Sequence, residues 1–196
     1  MPKIVDHEVR RREILEATWR VIADQGIAAA TVREIAREAG CSNGVLSHYF
    51  ANKEEILISA HKLAFERVQV RANESNADIH GIEKLHRALY EALPLDEVRV
   101  IEAVMDVSFW SAALTNPRLN AARRESIADG RVWWLEMFAD GRARGEITSE
   151  ISDDVLCDEL VALIDGVSVE AVMYPQDMVP ARQRAIADGF ITRLRH

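Results

Sequence analysis

Residues 31–50, TVREIAREAGCSNGVLSHYF, constrain the fold more than any other stretch of the chain. Thr31 can cap a helix, and Glu34, three places on, supplies the reciprocal half of a capping box. Val32, Ile35, Ala36 and Ala39 recur at helical spacing, and Gly40 follows where a left-handed residue ends a helix. A second helix begins within two residues, near Ser42. Two short helices joined by so tight a turn cross steeply, which frees the N-terminal half of the second. Val45, Leu46 and Phe50 are expected to face the core, leaving Ser42, Asn43, Gly44, Ser47, His48 and Tyr49 near the surface. Asn, Ser and His there can bond base edges or phosphates, an aromatic can pack on sugar or a thymine methyl, and Gly44 admits close backbone approach.

The rest of the chain repeats the helical period, and no stretch alternates apolar and polar residues as a half-buried strand would. In residues 6–25, Ile14, Ala17, Thr18, Val21 and Ile22 form one face, and Gly26 ends the run. Asn52 and Glu55 form another capping-box pair, opening a long helix with Ile56, Leu57, Ala60, Leu63, Ala64 and Val68 that breaks across residues 73–78. Further helices are expected over 82–93, 96–114, 117–144 with a kink near Gly130 or Gly141, from Ser152 to before Pro175, and over 180–194. The fold class is all-α with about nine helices. Residues 1–55 are expected to form a three-helix helix-turn-helix domain, and 56–196 a larger helical domain.

Charge divides the chain the same way. Of the net −8, residues 1–62 contribute nothing, with nine Lys/Arg against nine Asp/Glu, so the acidic excess lies beyond them. A neutral N-terminal part can approach a polyanion while an acidic remainder points away. Arg10, Arg11 and Arg12 are either a solvated face of the first helix or an arm reaching phosphates. No long apolar run or cleavable leader is apparent, so a cytoplasmic protein without membrane attachment is expected. Cys41 and Cys157 fit no disulfide or metal framework, and the six histidines show no ligand spacing. Neither a catalytic triad order nor a phosphate-cradling glycine loop is present, so no enzyme activity, cofactor or metal is expected.

The residues already quoted carry a family resemblance. Thr31, the Ile-Ala pair at 35 and 36, Ala-Gly at 39 and 40, Ser42 and Gly44, Tyr49-Phe50, and Lys53-Glu54-Glu55 with Leu57 give residues 14–56 a pattern that resembles the DNA-binding domain of TetR-type transcriptional regulators. The resemblance implies that Thr31 and Lys53 contact phosphates and that Asn43, Gly44, His48 and Tyr49 lie at or near bases. Arg33, Ser42 and Ser47 complete the expected DNA-binding set. Ser47 departs from the family, which typically has a backbone-gripping Tyr there. The strings LSHYF, FWSAALTNPRL at 109–119 and LVALIDGVSVEAVMYP at 160–175 are similar to the BetI-like subgroup, whose best-known members sense choline.

The implied function is a ligand-responsive regulator, most simply a repressor released from double-stranded operator DNA by a small molecule, acting as a homodimer. An unknown effector is expected among Glu102, Met105, Asp106, Phe109, Trp110, Trp133, Trp134 and Met137. Helical spacing puts Glu102, Asp106 and Trp110 on one stripe. Carboxylates facing an apolar interior need either a cationic ligand, held against Trp faces, or a salt bridge to a residue such as Arg99 or Arg131. Leu160, Leu163, Val167 and Phe190 are expected in a four-helix dimer interface, because one protomer is not expected to cover all the apolar residues of the last two helices and the resemblance implies the same pairing. The alternative left open by the residues is a helical ligand-binding protein or adaptor that does not bind DNA.

Overall fold

The computed structural model describes residues 3–74 and 78–195, with side chains from His7 onward. Among the described residues there are nine α-helices and no strand: α1 (Lys3–Gln25), α2 (Val32–Glu38), α3 (Asn43–Leu46), α4 (Lys53–Glu74), α5 (Gly81–Ala92), α6 (Glu97–Ala113), α7 (Pro117–Ala143), α8 (Asp153–Met173) and α9 (Pro180–Arg193). The all-α expectation is therefore met. The break expected over 73–78 begins later, since α4 continues through Glu74, while residues 75–77 lie outside the described residues.

Helix α7, expected to kink near Gly130 or Gly141, is continuous through both glycines. Both glycines make close packing contacts. A Cβ at 130 would stand 2.7 Å from Phe65 Cζ, and one at 141 would stand 2.7 Å from Ile147 Cδ1.

The chain forms two compact units. Unit 1 comprises Met1–Ala64 with Val104–Arg124, and unit 2 comprises Phe65–Ala103 with Glu125–His196, so α4, α6 and α7 each contribute to both. In unit 1 the apolar face of α1 is closed by Ile35, Leu46, Phe50 and Ile56, all buried. Two polar groups inside are satisfied by backbone carbonyls: Thr18 Oγ1 donates to the Ile14 carbonyl at 2.9 Å, and Trp19 Nε1 donates to the Ala60 carbonyl at 3.0 Å.

Unit 2 is built on Leu85, Leu89, Phe138, Leu160 and Phe190, with α9 packed against α5 and α8. The start of α5 is held by carboxylates from far along the chain. Gly81 N donates to Asp140 Oδ2 at 2.6 Å and Ile82 N to Glu146 Oε2 at 2.7 Å, satisfying N–H groups that a helix leaves open at its first turn. The Gly81 bond, with Arg144 beside it, holds the Asp140 carboxyl below the usual carboxylate range. Gly81 has φ +61°, and a Cβ there would fall 1.9 Å from Glu146 Oε2, so only glycine fits the clamp.

Candidate nucleic-acid interface and effector-site residues

The helix-turn-helix of unit 1 is made by its caps. Thr31 Oγ1 accepts from Glu34 N at 3.2 Å, and Ser42 Oγ accepts from Val45 N at 3.2 Å. Between them Gly40 takes φ +62°. Cys41 N then donates to the Ala36 carbonyl at 2.9 Å and Gly40 N to the Arg37 carbonyl at 3.2 Å, the bond pair of a Schellman motif. Only half of the expected box at Thr31 forms, because the Glu34 carboxylate turns to Arg37 and Gln25. At the start of α4, Asn52 Oδ1 accepts from Glu55 N at 3.0 Å, while Glu55 Oε2 accepts from Ala51 N at 2.6 Å rather than from Asn52 N.

Thr31, Arg33, Ser42, Asn43, Gly44, Ser47 and His48 are exposed and Tyr49 is half-buried. Val45 corrects the expectation that it faces the core: it is 39% exposed. The helical part of α3 is a single turn whose inner face is filled by Leu46 and, four residues on, Phe50, which turns Val45 outward. Ser47 Oγ donates to the Asn43 carbonyl at 2.9 Å, closing the turn. Gly44 has no structural need of its missing side chain, since a Cβ there would meet only Ser42 Oγ, at 3.7 Å.

The cations around this surface differ in their engagement. Lys53 Nζ donates to the carbonyls of Ile27 and Ala28 at 3.2 and 3.4 Å, tying α4 to the loop before α2. Arg10 is held by Glu13 and the Ala39 carbonyl, and Arg11 by Ser59 and the face of Phe50. Arg12 is exposed. Sequence reading missed His7, whose ring lies 4.6 Å from that of Tyr49; a contact between residues so far apart in the chain leaves no local signal.

The expected effector residues fall into two groups. Met105, Asp106, Phe109 and Trp110 belong to unit 1, and Glu102, Trp133, Trp134 and Met137 to unit 2. Each carboxylate has a basic partner, though neither of those anticipated. Glu102, 6% exposed, takes a two-bonded guanidinium from Arg71, at 2.9 Å to Oε1 and 2.7 Å to Oε2. Asp106 Oδ1 lies 2.9 Å from His61 Nε2 and 3.2 Å from Arg123 Nη1. Arg99 instead holds Asp96 and Glu91, and Arg131 holds Asp154 and Asp158. Trp134 and Met137 are buried in the unit 2 core, with the Trp133 and Trp134 rings 4.5 Å apart.

Of the residues expected to pair two copies, Leu160, Val167 and Phe190 are buried within the single chain, and Leu163 packs against the same core. The premise that one protomer leaves them uncovered does not hold, because α9 folds back over α5 and α8. The apolar surface left open on α8 is a different stripe: Val155 (54% exposed), Ala162, Gly166 and Met173 (58%) recur at spacings that return to one helix face.

Comparison with known proteins places this architecture. Residues 14–60 match the family described as bacterial regulatory proteins, tetR family, and residues 81–196 match the C-terminal domain of BetI-type transcriptional repressors. The chain is 34% identical to the transcriptional regulator PksA of Bacillus subtilis, over 89% of this chain and 84% of that protein. It is 26% identical to the regulator BetI of Escherichia coli K12, over 98% and 97% of the two chains. In fold it is similar to a transcriptional regulator of Saccharomonospora viridis solved in complex with choline, with a TM-score of 0.81 at 24% identity over 93% and 95% of the two chains. With its capped helix-turn-helix at residues 31–50 and a match to the BetI-type repressor domain over residues 81–196, the chain belongs to the TetR family of ligand-responsive, DNA-binding transcriptional regulators.

Proposed function

We propose that this protein is a cytoplasmic repressor that works by binding alone. Two copies pair through the outer face of α8, set two α3 surfaces over the half-sites of a near-palindromic operator, and leave the DNA when an effector binds. Residues 1–55 carry the operator contacts, and 56–196 the effector and the partner. The observation that carries the reading is the exposed row Ser42, Asn43, Gly44, Ser47 and His48 on a turn held rigidly from behind. Thr31, Arg33 and Tyr49 flank it. Lys53 acts at the backbone, using the donor capacity its two carbonyl bonds leave over.

Release follows from linkage: an effector must favour a conformation whose α3 surfaces no longer match the operator. Within unit 1 the corner between α6 and α7 is tied to the first turn of α4. Glu54 accepts from Asn116 Nδ2 at 2.6 Å and pairs with Arg118 at 3.0 Å, while Asn116 Oδ1 accepts from Arg118 N at 3.0 Å and caps α7. A shift of α6 is therefore passed to Glu54 and its neighbour Lys53, and through Lys53 to the loop that precedes α2.

The test is operator binding by variants of the exposed row. Asn43→Ala and His48→Ala are each expected to weaken specific binding about tenfold, since a good base contact is worth about 1–3 kcal/mol. Helicity and dimerisation should stay at wild-type values, as neither side chain is in the core. Unchanged affinity of both variants for the intergenic DNA next to the protein's own gene would remove α3 from the interface.

A further inference from the structure

Among the described residues of unit 1, one buried side-chain polar atom has nothing to bond. Trp110 Nε1 is buried and has no hydrogen-bond acceptor, whereas Trp19 Nε1 donates to the Ala60 carbonyl. A buried N–H without a partner is costly enough to need an explanation.

Its surroundings show which partner would suit it. The Arg123 guanidinium carbon lies 4.0 Å from the Trp110 ring centroid, and Arg123 Nη1 is 3.2 Å from Asp106 Oδ1. That same oxygen is 2.9 Å from Nε2 of His61, a buried ring stacked on Phe109 with centroids 4.3 Å apart. The tryptophan face that would attract a quaternary ammonium thus already carries a cation of the chain itself. The carboxylate that would neutralise such a ligand is bonded twice. What the group lacks is an acceptor. Met105, Phe109 and Ala113, on the same helix, are apolar and buried.

We infer that the effector presents an oxygen acceptor, a carboxylate or carbonyl on an apolar body, to Trp110 Nε1 beside the Arg123 guanidinium. The inference rests on the effector-responsive reading above and narrows its ligand to acceptor-bearing molecules rather than quaternary ammonium cations. An acceptor completes the unpaired N–H without displacing the ion pair between Arg123 and Asp106, whereas a choline-like cation has to dislodge Arg123 from both the ring and the carboxylate. Asp106 and Trp110 are half-buried, so the edge of the group reaches the surface while Nε1 itself is covered.

The full-length protein labelled with 15N-tryptophan has four indole N–H signals, from Trp19, Trp110, Trp133 and Trp134. Loss of one signal in Trp110→Phe, or in Trp110→Tyr should the first variant fail to fold, assigns the Trp110 signal. The probes are hexanoate and decanoate, their methyl esters, and the trimethylammonium cations of matching chain length. Acids or esters are expected to move the Trp110 indole proton downfield and to lose roughly tenfold or more in affinity on Trp110→Phe, with the cations binding more weakly. Tighter acids assign the site to an anion, and tighter esters to a neutral carbonyl.

Cations that bind as tightly as the acids and esters overturn the inference, as does the failure of every acid and ester to move the Trp110 signal. A probe that releases operator DNA while leaving that signal in place overturns this site and leaves the effector-responsive reading standing. A probe that moves the signal without changing operator affinity overturns the role of the site in release.

Discussion

Replacing Gly166 by Glu is expected to yield a folded monomer with operator affinity lowered by a factor of about 100 or more. The fold has room for the change: a Cβ at 166 meets nothing within 4 Å. Removing a glycine from the interior of α8 even favours the helix, by about 0.5–1 kcal/mol. In a dimer built on Val155, Ala162, Gly166 and Met173, however, the new carboxylate is forced between two closely packed helices without a partner. The loss is large because it is a loss of avidity. One helix-turn-helix holds one half-site, and the second half-site binds almost intramolecularly only when a partner carries it, an advantage of roughly 10²–10⁴-fold. Sedimentation and thermal melting of the variant check both halves of the expectation. A Gly166→Glu protein that stays dimeric places the interface elsewhere on unit 2. Leu160→Glu is a poor substitute, since Leu160 is buried in the protomer and a charge there attacks the fold first.

Gly44→Ala should separate stability from binding in opposite directions. The added methyl meets only Ser42 Oγ, at an ordinary 3.7 Å, within a helical turn. The isolated protein should therefore be as stable as wild type or more so, by up to about 1 kcal/mol. If the bare backbone at 44 lies against DNA, the same methyl costs operator affinity by roughly tenfold, and Gly44→Val by more. A parallel gain or no change in operator affinity takes Gly44 out of the contact surface. The comparison is informative because nothing inside the chain requires a glycine at this position, in contrast with Gly81, where positive φ and the Glu146 carboxylate exclude every other residue.

Features set by neighbours in sequence were legible before the structure. The cap at Thr31 and the left-handed turn at Gly40 are local and both form, and Asn52 caps α4 by accepting from Glu55 N although the Glu55 carboxylate reaches Ala51 N instead of Asn52 N. The outward face of Val45 is not legible in the sequence, because a single helical turn offers too few positions for periodicity to fix its rotation. Glu102 and Asp106 were recognisable as carboxylates in need of partners, but Arg71, His61 and Arg123 come from helices distant in the chain. An apolar run such as 160–169 marks residues that must be buried without saying what buries them. Leu160, Val167 and Phe190 are covered by their own protomer, and the open stripe on α8, with only Ala162 and Gly166 between Val155 and Met173, does not stand out beside them. For the same reason an unpaired Trp110 N–H has no trace in the sequence, since only the absence of an acceptor in space defines it.

Two chains should read two half-sites together, and the mass of the complex on DNA shows whether they do. Sedimentation of the protein with a labelled intergenic fragment should give two chains per operator, protecting half-sites about 34–36 Å apart. Scrambling one half-site should then lower affinity by about the same factor as Gly166→Glu. One chain bound per duplex, with affinity indifferent to the loss of either half-site, would contradict the account.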